Sequence, residues 1–385
     1  MKIIFSAALA LALATGSARA ADVIKIGLVA PFSGPFADYG KEMDAGMQAY
    51  LRGHGDAVAG KKVVILTRDT TGVPEVARRL AQELVVRDEV DFLAGFGLTP
   101  EALAAADVAT QAKKPMIVLN AATPIVTTKS PFIVRFSMTI PQVTTPLASW
   151  AARAGLKRVF VLVSDYAPGH DAENYFRKAF TAAGGEVVES VHTPLRNPDF
   201  APFVQRIKDA KPDAVFVFVP AGEQGVAFMK EFEERGLKTS GIKVIATGDL
   251  TDDRVLDAMG EVSLGIITSF HYSAAHDSPE NRAFQAAFAK VAAGEGRPNF
   301  MAVAGYDGMA AMAEVAEKLG GNIDGEKAVE LLKGYARESP RGHIAIEPGT
   351  RDITQTVYLR RVEKLGDHYE NVEFDKVPDV KDPGK

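Results

Sequence analysis

The chain has 385 residues, of which 47% are hydrophobic and 24% charged, with a formal net charge of −5. That length exceeds what one hydrophobic core usually holds, so two α/β domains are expected. The mild acidity and the lack of a basic block argue against nucleic acid and anionic membrane surfaces as partners. With no Cys, disulfides, thiol nucleophiles and Cys-based zinc sites are excluded together.

The N-terminus begins with Met1-Lys2, continues as an apolar run over residues 3–13 and reaches Ala18-Arg19-Ala20. A short positive start, an apolar stretch and a small-x-small site read as a signal peptide over residues 1–20. The run is shorter than the roughly 20 apolar residues of a membrane span. No Cys follows that could carry a lipid, so a free periplasmic chain is expected.

From there the pattern alternates. Residues 23–30 (VIKIGLVA) read as a strand, followed by a loop with Ser33, Gly34 and Tyr39 and a helix over 41–52. A strand over 61–67 and a helix over 74–87 come next. Residues 90–94 are a buried strand, 95–99 a polar turn, 100–112 a helix and 115–119 a second buried strand opening into Asn120-Ala121-Ala122-Thr123. Short apolar strands alternating with helices imply a parallel sheet covered on both faces. The rhythm restarts after residue 136. Strands over 158–163, 187–191, 213–219 and 243–246 end at Tyr166, Ala221-Gly222 and Asp249, with helices between them. A strand near 265–272, three helices over 279–332 and a strand-rich segment over 341–374 complete the pattern, and the polar residues 377–385 are expected to be disordered.

The usual catalytic motifs fail on context. Gly55 to Lys61 approximates a phosphate loop, but Lys62 stands where Ser or Thr is needed and a strand follows instead of a helix. The first βα turn carries Ser33-Gly34-Pro35 in place of a dinucleotide fingerprint. His271 and His276 have no carboxylates at ligand spacing. Asp165, Asp249 and Asp307 can be helix caps as readily as reactive groups. No enzyme, metal or cofactor is read from this sequence. The positive signal is convergence: both halves send small or polar residues to their strand ends, a geometry that closes by a hinge on a small molecule.

The opening IKIGLVAPFSGPFADYGK, the GLTPE and LNAATP segments, the SDYAPGHDAE turn and the TGD at a strand end resemble the periplasmic binding proteins of branched-chain amino-acid ABC importers. The resemblance covers essentially the whole mature chain. It implies an α/β fold of two Rossmann-like lobes joined by three hinge crossings, near 137–140, 270–272 and 341–344. Residues 21–138 and 272–342 would form the first lobe, and 139–271 with 343–376 the second. In leucine-type members, positions matching Thr99, Ala121 and Thr123 hold the ligand's carboxylate and amine, and an acidic residue at the position of Asp249 meets the amine. Ser33, Tyr39, Phe96, Leu98, Ala122, Tyr166, Ala221 and Gly222 lie in the turns implied to line the cleft. Phe32, Phe36 and Phe96, with SDYAPGHDAE, HYSAAHDSPEN and SPRG, look closer to the branch that binds aromatic carboxylates. The resemblance therefore implies a monomeric carrier of a small carboxylate for a membrane permease. A hydroxybenzoate or phenylpropenoid is favoured over leucine, isoleucine or valine, and a ligand-sensing receptor is the alternative role.

Overall fold

The computed structural model describes residues 23–292 and 296–384. The expected signal peptide, residues 1–20, lies outside them. Among the described residues no helix is long and apolar enough to cross a membrane.

The chain begins with β1 (Val23–Ala30), α1 (Ala37–His54), β2 (Ala57–Val58), β3 (Lys61–Asp69), α2 (Pro74–Val86), β4 (Phe92–Gly95), α3 (Thr99–Ala112), β5 (Met116–Val118) and β6 (Ile133–Arg135). It continues through α4 (Ile140–Arg153), β7 (Arg158–Ser164), α5 (Ala167–Ala182), β8 (Glu186–Thr193), α6 (Ala201–Ala210), β9 (Ala214–Phe218), α7 (Glu223–Glu234), β10 (Lys243–Thr247), α8 (Leu256–Met259) and β11 (Ile267–Phe270). The last part holds α9 (Pro279–Val291), α10 (Phe300–Lys318), α11 (Gly325–Leu332), β12 (Ala336–Ser339), β13 (Gly342–Ile346), β14 (Ile353–Leu365) and β15 (His368–Val380).

Two sheets result. The first runs β2-β3-β1-β4-β5-β6, and the second β12-β13-β14-β11-β10-β9-β7-β8, with β15 paired to β14. Strands such as β9 (AVFVF) are buried along their whole length, because helices cover both faces of a parallel sheet. α9 and α10 come after the second sheet's parallel strands, yet they pack on α1 of the first. Their close approach needs glycine: a Cβ on Gly46 would stand 1.9 Å from the Ala302 carbonyl oxygen, and one on Gly305 2.3 Å from that of Met43. The two Rossmann-like lobes are therefore linked three times, before α4, after β11 and after α11.

The crossings are tied to one another by buried charge. Arg341 donates from Nη2 to the Phe136 carbonyl (2.6 Å) and from Nη1 to Gln355 Oε1 (3.1 Å). It is ion-paired with Asp307 on α10 at 2.9 Å, both side chains at 0% exposure. Other contacts join the lobes directly. Arg254 of the second meets Glu42 of α1 at 2.6 Å, and Asn299, the N-cap of α10, donates to Asp252 at 2.9 Å. Arg196 donates to the Gly72 carbonyl at 2.9 Å. The lobes are closed on each other, and one apolar cluster runs from Leu28 through Met138 and Phe270 to Phe216.

Two expectations are corrected. Residues 377–385 were expected to be disordered, but β15 continues to Val380, which pairs with Gln355. A register shift between Gln355 and Val357 accommodates Pro378, since a bulge spares a proline its ladder bond. Asp382 then accepts from Thr139 Oγ1 at 3.0 Å. The first-lobe stretch ending at 342 was also drawn too long, because β12 already pairs with β13 in the second sheet.

Asp307→Ala leaves the Arg341 guanidinium buried without its carboxylate, and removing one partner of such a pair costs about 3–5 kcal/mol. Urea unfolding should show a loss of that size, whereas a midpoint equal to wild type would mean the pair does not hold the hinge.

Candidate functional site: the interlobe cavity

Strand order reverses between β1 and β4 in the first sheet and between β7 and β9 in the second. Outside the carboxyl ends at such reversals, open α/β sheets bind ligands. A narrow cavity of about 20 Å³ lies there, between the closed lobes. Its first-lobe wall is Tyr39, Gly97, Leu98, Thr99, Asn120, Ala121 and Ala122. Met138 and Ile140 of the hinge close one side, and Tyr166, Pro168, Phe218 and Asp249 form the second-lobe wall.

The first-lobe wall follows from the turn after β4. Gly95 and Phe96 both have positive φ, 107° and 63°, which swings the chain so that residues 97–99 face the cavity. Asn120 Nδ2 pins the turn by donating to the Gly97 carbonyl at 2.7 Å. Thr99 opens α3, where Pro100 sits harmlessly in the first turn. Leu98 donates its backbone N–H to Glu101 Oε2 at 2.9 Å. The helix thus presents the positive end of its dipole and a buried hydroxyl to the cavity, an arrangement suited to an anion.

Behind this wall sits Arg135, fully buried at the end of β6. It donates to the carbonyls of Ala121 (2.8 Å), Thr123 (2.8 Å) and Met138 (3.2 Å) and is ion-paired with Asp352 at 2.9 Å. One guanidinium therefore fixes both the 121–123 loop and the first hinge crossing.

The second-lobe wall is aromatic and acidic. Tyr166 stacks on Phe218, with centroids 6.1 Å apart and planes 16° from parallel. Asp249 accepts from Thr247 Oγ1 at 2.7 Å, and burial pushes its carboxyl up to about 6. Burial, and after it the neighbouring negative charge, keeps the Tyr39 and Tyr166 phenols neutral by raising both well above the usual value. One end of the cavity thus offers donors and the other a buried acceptor, with rings between them.

Of the residues singled out in the sequence, the structure brings Tyr39, Leu98, Thr99, Ala121, Ala122, Tyr166 and Asp249 to the cavity. Five others stand elsewhere. Phe96 is turned by its positive φ into the core on the far face of the sheet, with Val29, Ala102 and Val126. Ser33 is exposed and bonds Asp69 at 2.6 Å. Thr123 stands behind Thr99, hydroxyl to hydroxyl at 3.2 Å. Ala221 is buried in the apolar cluster that spans the lobes, and Gly222 is the N-cap of α7 at φ 104°. Phe218, Met138, Pro168 and Arg135 were missed. Phe218 had a signal, being the last aromatic residue before a Pro-Ala-Gly strand end. Arg135 had none, since a single arginine in a strand reads as solvent-facing.

The three aspartates read as caps or reactive groups have separate roles: Asp307 pairs with Arg341, Asp165 with His170 at 3.0 Å, and Asp249 enters the cavity. His276 bonds Glu373 at 3.0 Å while His271 is fully buried, so the two do not form a common site.

Comparison with known proteins agrees with this geometry. The family model for periplasmic binding proteins matches residues 23–367. The Leu/Ile/Val-binding protein homolog 6 of Brucella melitensis biotype 1 is 47% identical, over 100% of this chain and 99% of the relative. A solute-binding protein of an ABC transporter from Rhodopseudomonas palustris BisB5, solved with 3,4-dihydroxybenzoic acid, is 53% identical with a TM-score of 0.92, covering 94% of this chain and 99% of that one. Another from R. palustris HaA2, solved with p-hydroxybenzoic acid, is 43% identical with a TM-score of 0.92 over the same shares. With the match over nearly its whole described length, this chain belongs to the periplasmic binding protein family, among the substrate-binding proteins of ABC transporters.

Proposed function

We propose that the protein captures a small aromatic carboxylate of the hydroxybenzoate class and hands it, in the closed form, to its membrane permease. The observation that carries this reading is the polarity of the cavity. Thr99 and the α3 N-terminus stand at one side, Asp249 at the other, and Tyr39, Tyr166 and Phe218 line the space between. A carboxylate would take the Thr99 hydroxyl and nearby backbone donors through charge-assisted bonds. A ring hydroxyl would donate to Asp249, and the ring would pack offset or edge-on against the aromatic walls at about 0.5–1.5 kcal/mol per pair beyond burial. The hydroxybenzoate complexes of two relatives support the same class. The ligand then shifts the open–closed balance by its preference for the closed state.

A second reading, a branched-chain amino acid, is favoured by the name of the Brucella relative and by Asp249 as a partner for an ammonium group. The two differ in what they bring to Asp249, a neutral phenol or a cation. We infer a periplasmic monomer acting with a permease, as opposed to a sensor reporting to a receptor.

A thermal-shift screen should show stabilisation by benzoate and hydroxybenzoates. At 100 times the dissociation constant a ligand stabilises by about 2.7 kcal/mol, and a response to leucine alone would reverse the ligand assignment. Thr99→Ala should weaken the carboxylate by about 1.5–3 kcal/mol, the range for a hydrogen bond to a charged group; equal affinity by calorimetry would remove Thr99 from the site.

Asp249 makes the ligand-free protein pH-dependent. Its carboxyl is raised to about 6 by burial, so the closed cleft holds the proton more tightly than solvent-exposed aspartate does. Its contribution is fully present below the ordinary aspartate range and lost as pH rises through about 6. Calorimetric melting of wild type and Asp249→Asn without ligand should therefore show the variant gaining on wild type between pH 4 and pH 7. Parallel curves would mean Asp249 is not desolvated in solution.

A further inference from the structure

On the outer edge of the second lobe, three ligand-type side chains meet where β7, β8 and α5 come together. The geometry points to a binding site for a divalent transition metal of the zinc, cobalt or nickel kind, formed by Asp165, His170 and His192. One ligand atom from each lies within 4.8 Å of the other two. Asp165 Oδ1 and His170 Nε2 are 3.0 Å apart, close to the ~3.3 Å separating two ligands of a tetrahedral ion with bonds of about 2.0–2.1 Å. The His170 and His192 rings stand 4.8 Å apart and nearly perpendicular, at 89°, so small side-chain rotations bring both nitrogens to a shared ion.

Rigid backbone holds all three. Asp165 N–H donates to the Thr193 carbonyl at 2.8 Å, and His170 N–H to that of Tyr166 at 3.1 Å. His192 lies in β8, in register with Val163. A carboxylate also orients one imidazole from behind, since His192 Nε2 contacts Glu173 Oε2 at 2.6 Å. Glu173 is held in turn by Arg177 at 3.1 Å. A ligating histidine whose other nitrogen meets a carboxylate has a fixed tautomer and greater basicity. Two imidazoles with one carboxylate suit borderline transition metals, whereas magnesium and calcium prefer all-oxygen sites. The ligands keep 61%, 45% and 39% side-chain exposure in the order Asp165, His170, His192, so water can reach the ion and complete its coordination.

The site lies outside the ligand cavity but on the same turn. Tyr166 and Pro168, which line the cavity, lie between Asp165 and His170 in the chain. An ion bridging those two residues would brace the β7–α5 turn that presents both.

The test uses tag-free, metal-stripped protein titrated with zinc by calorimetry and with cobalt by visible absorption. One ion per chain is expected, with the intense visible bands of tetrahedral cobalt. His170→Ala and His192→Ala should each weaken zinc at least tenfold, and Glu173→Gln by about 10–100-fold, the usual effect of losing an outer carboxylate. His343→Ala serves as the control, because that exposed histidine pairs with Glu338 elsewhere on the surface. Failure of the wild type to bind zinc would overturn the proposal. So would affinity unchanged in both cluster variants, or an equal loss in His343→Ala. Circular dichroism of the metal-free variants confirms that the exposed substitutions leave the fold intact.

Discussion

The buried pair of Arg135 and Asp352, 2.9 Å apart, is the interaction on which the binding wall depends. Its guanidinium reaches three carbonyls, two in the 121–123 loop and one in the hinge. A buried cation is tolerated only when paired and hydrogen-bonded. The 121–123 loop is therefore held in one geometry by the requirements of Arg135, and through Asp352 that geometry is joined to the start of β14 in the other sheet. The wall and the first crossing consequently share one anchor. Arg341 does the same for the other crossing, tying Asp307 of α10 to the carbonyl of Phe136.

Between these anchors the closed cleft accumulates desolvated carboxyls. Burial pushes Glu42 up to about 8 against the opposing pull of Arg254, Asp252 to about 7 and Asp249 to about 6. Each is a group that water would stabilise if the lobes parted. The closed form thus carries an electrostatic cost offset by apolar contact and lobe-to-lobe hydrogen bonds. Under the function proposed above, a ligand that brings a donor to Asp249 would reduce that cost and so link closure to recognition.

Much of this was legible in the chain. Short runs such as 158–163 and 213–219 could only be strands buried on both faces, because their apolar residues do not alternate. The turn after β4 was expected to line the cleft, and Leu98 and Thr99 do face the interlobe cavity. Phe96 was misplaced for a local reason: sequence shows an aromatic residue in a cleft-side loop, but not that its φ is positive and its ring therefore turned to the opposite face. Ser33 and Thr123 carry the right chemistry and spend it on Asp69 and on Thr99. The tail looked disordered because its polar composition hides a backbone ladder, which needs only a partner strand.

What the sequence determined by itself was the alternation of strands and helices, the two-lobe α/β plan and the strand ends that face the cleft. Those properties rest on apolar periodicity and turn chemistry, which are local. What only the tertiary structure decided was which side chains share the cavity and which buried charges hold it. Phe218, Met138 and Pro168 reach the site from residues remote in the chain, and Arg135 is buried only because Asp352, 217 positions away in sequence, comes to meet it. Such pairings depend on the packing of two sheets across a hinge, and no local pattern records them.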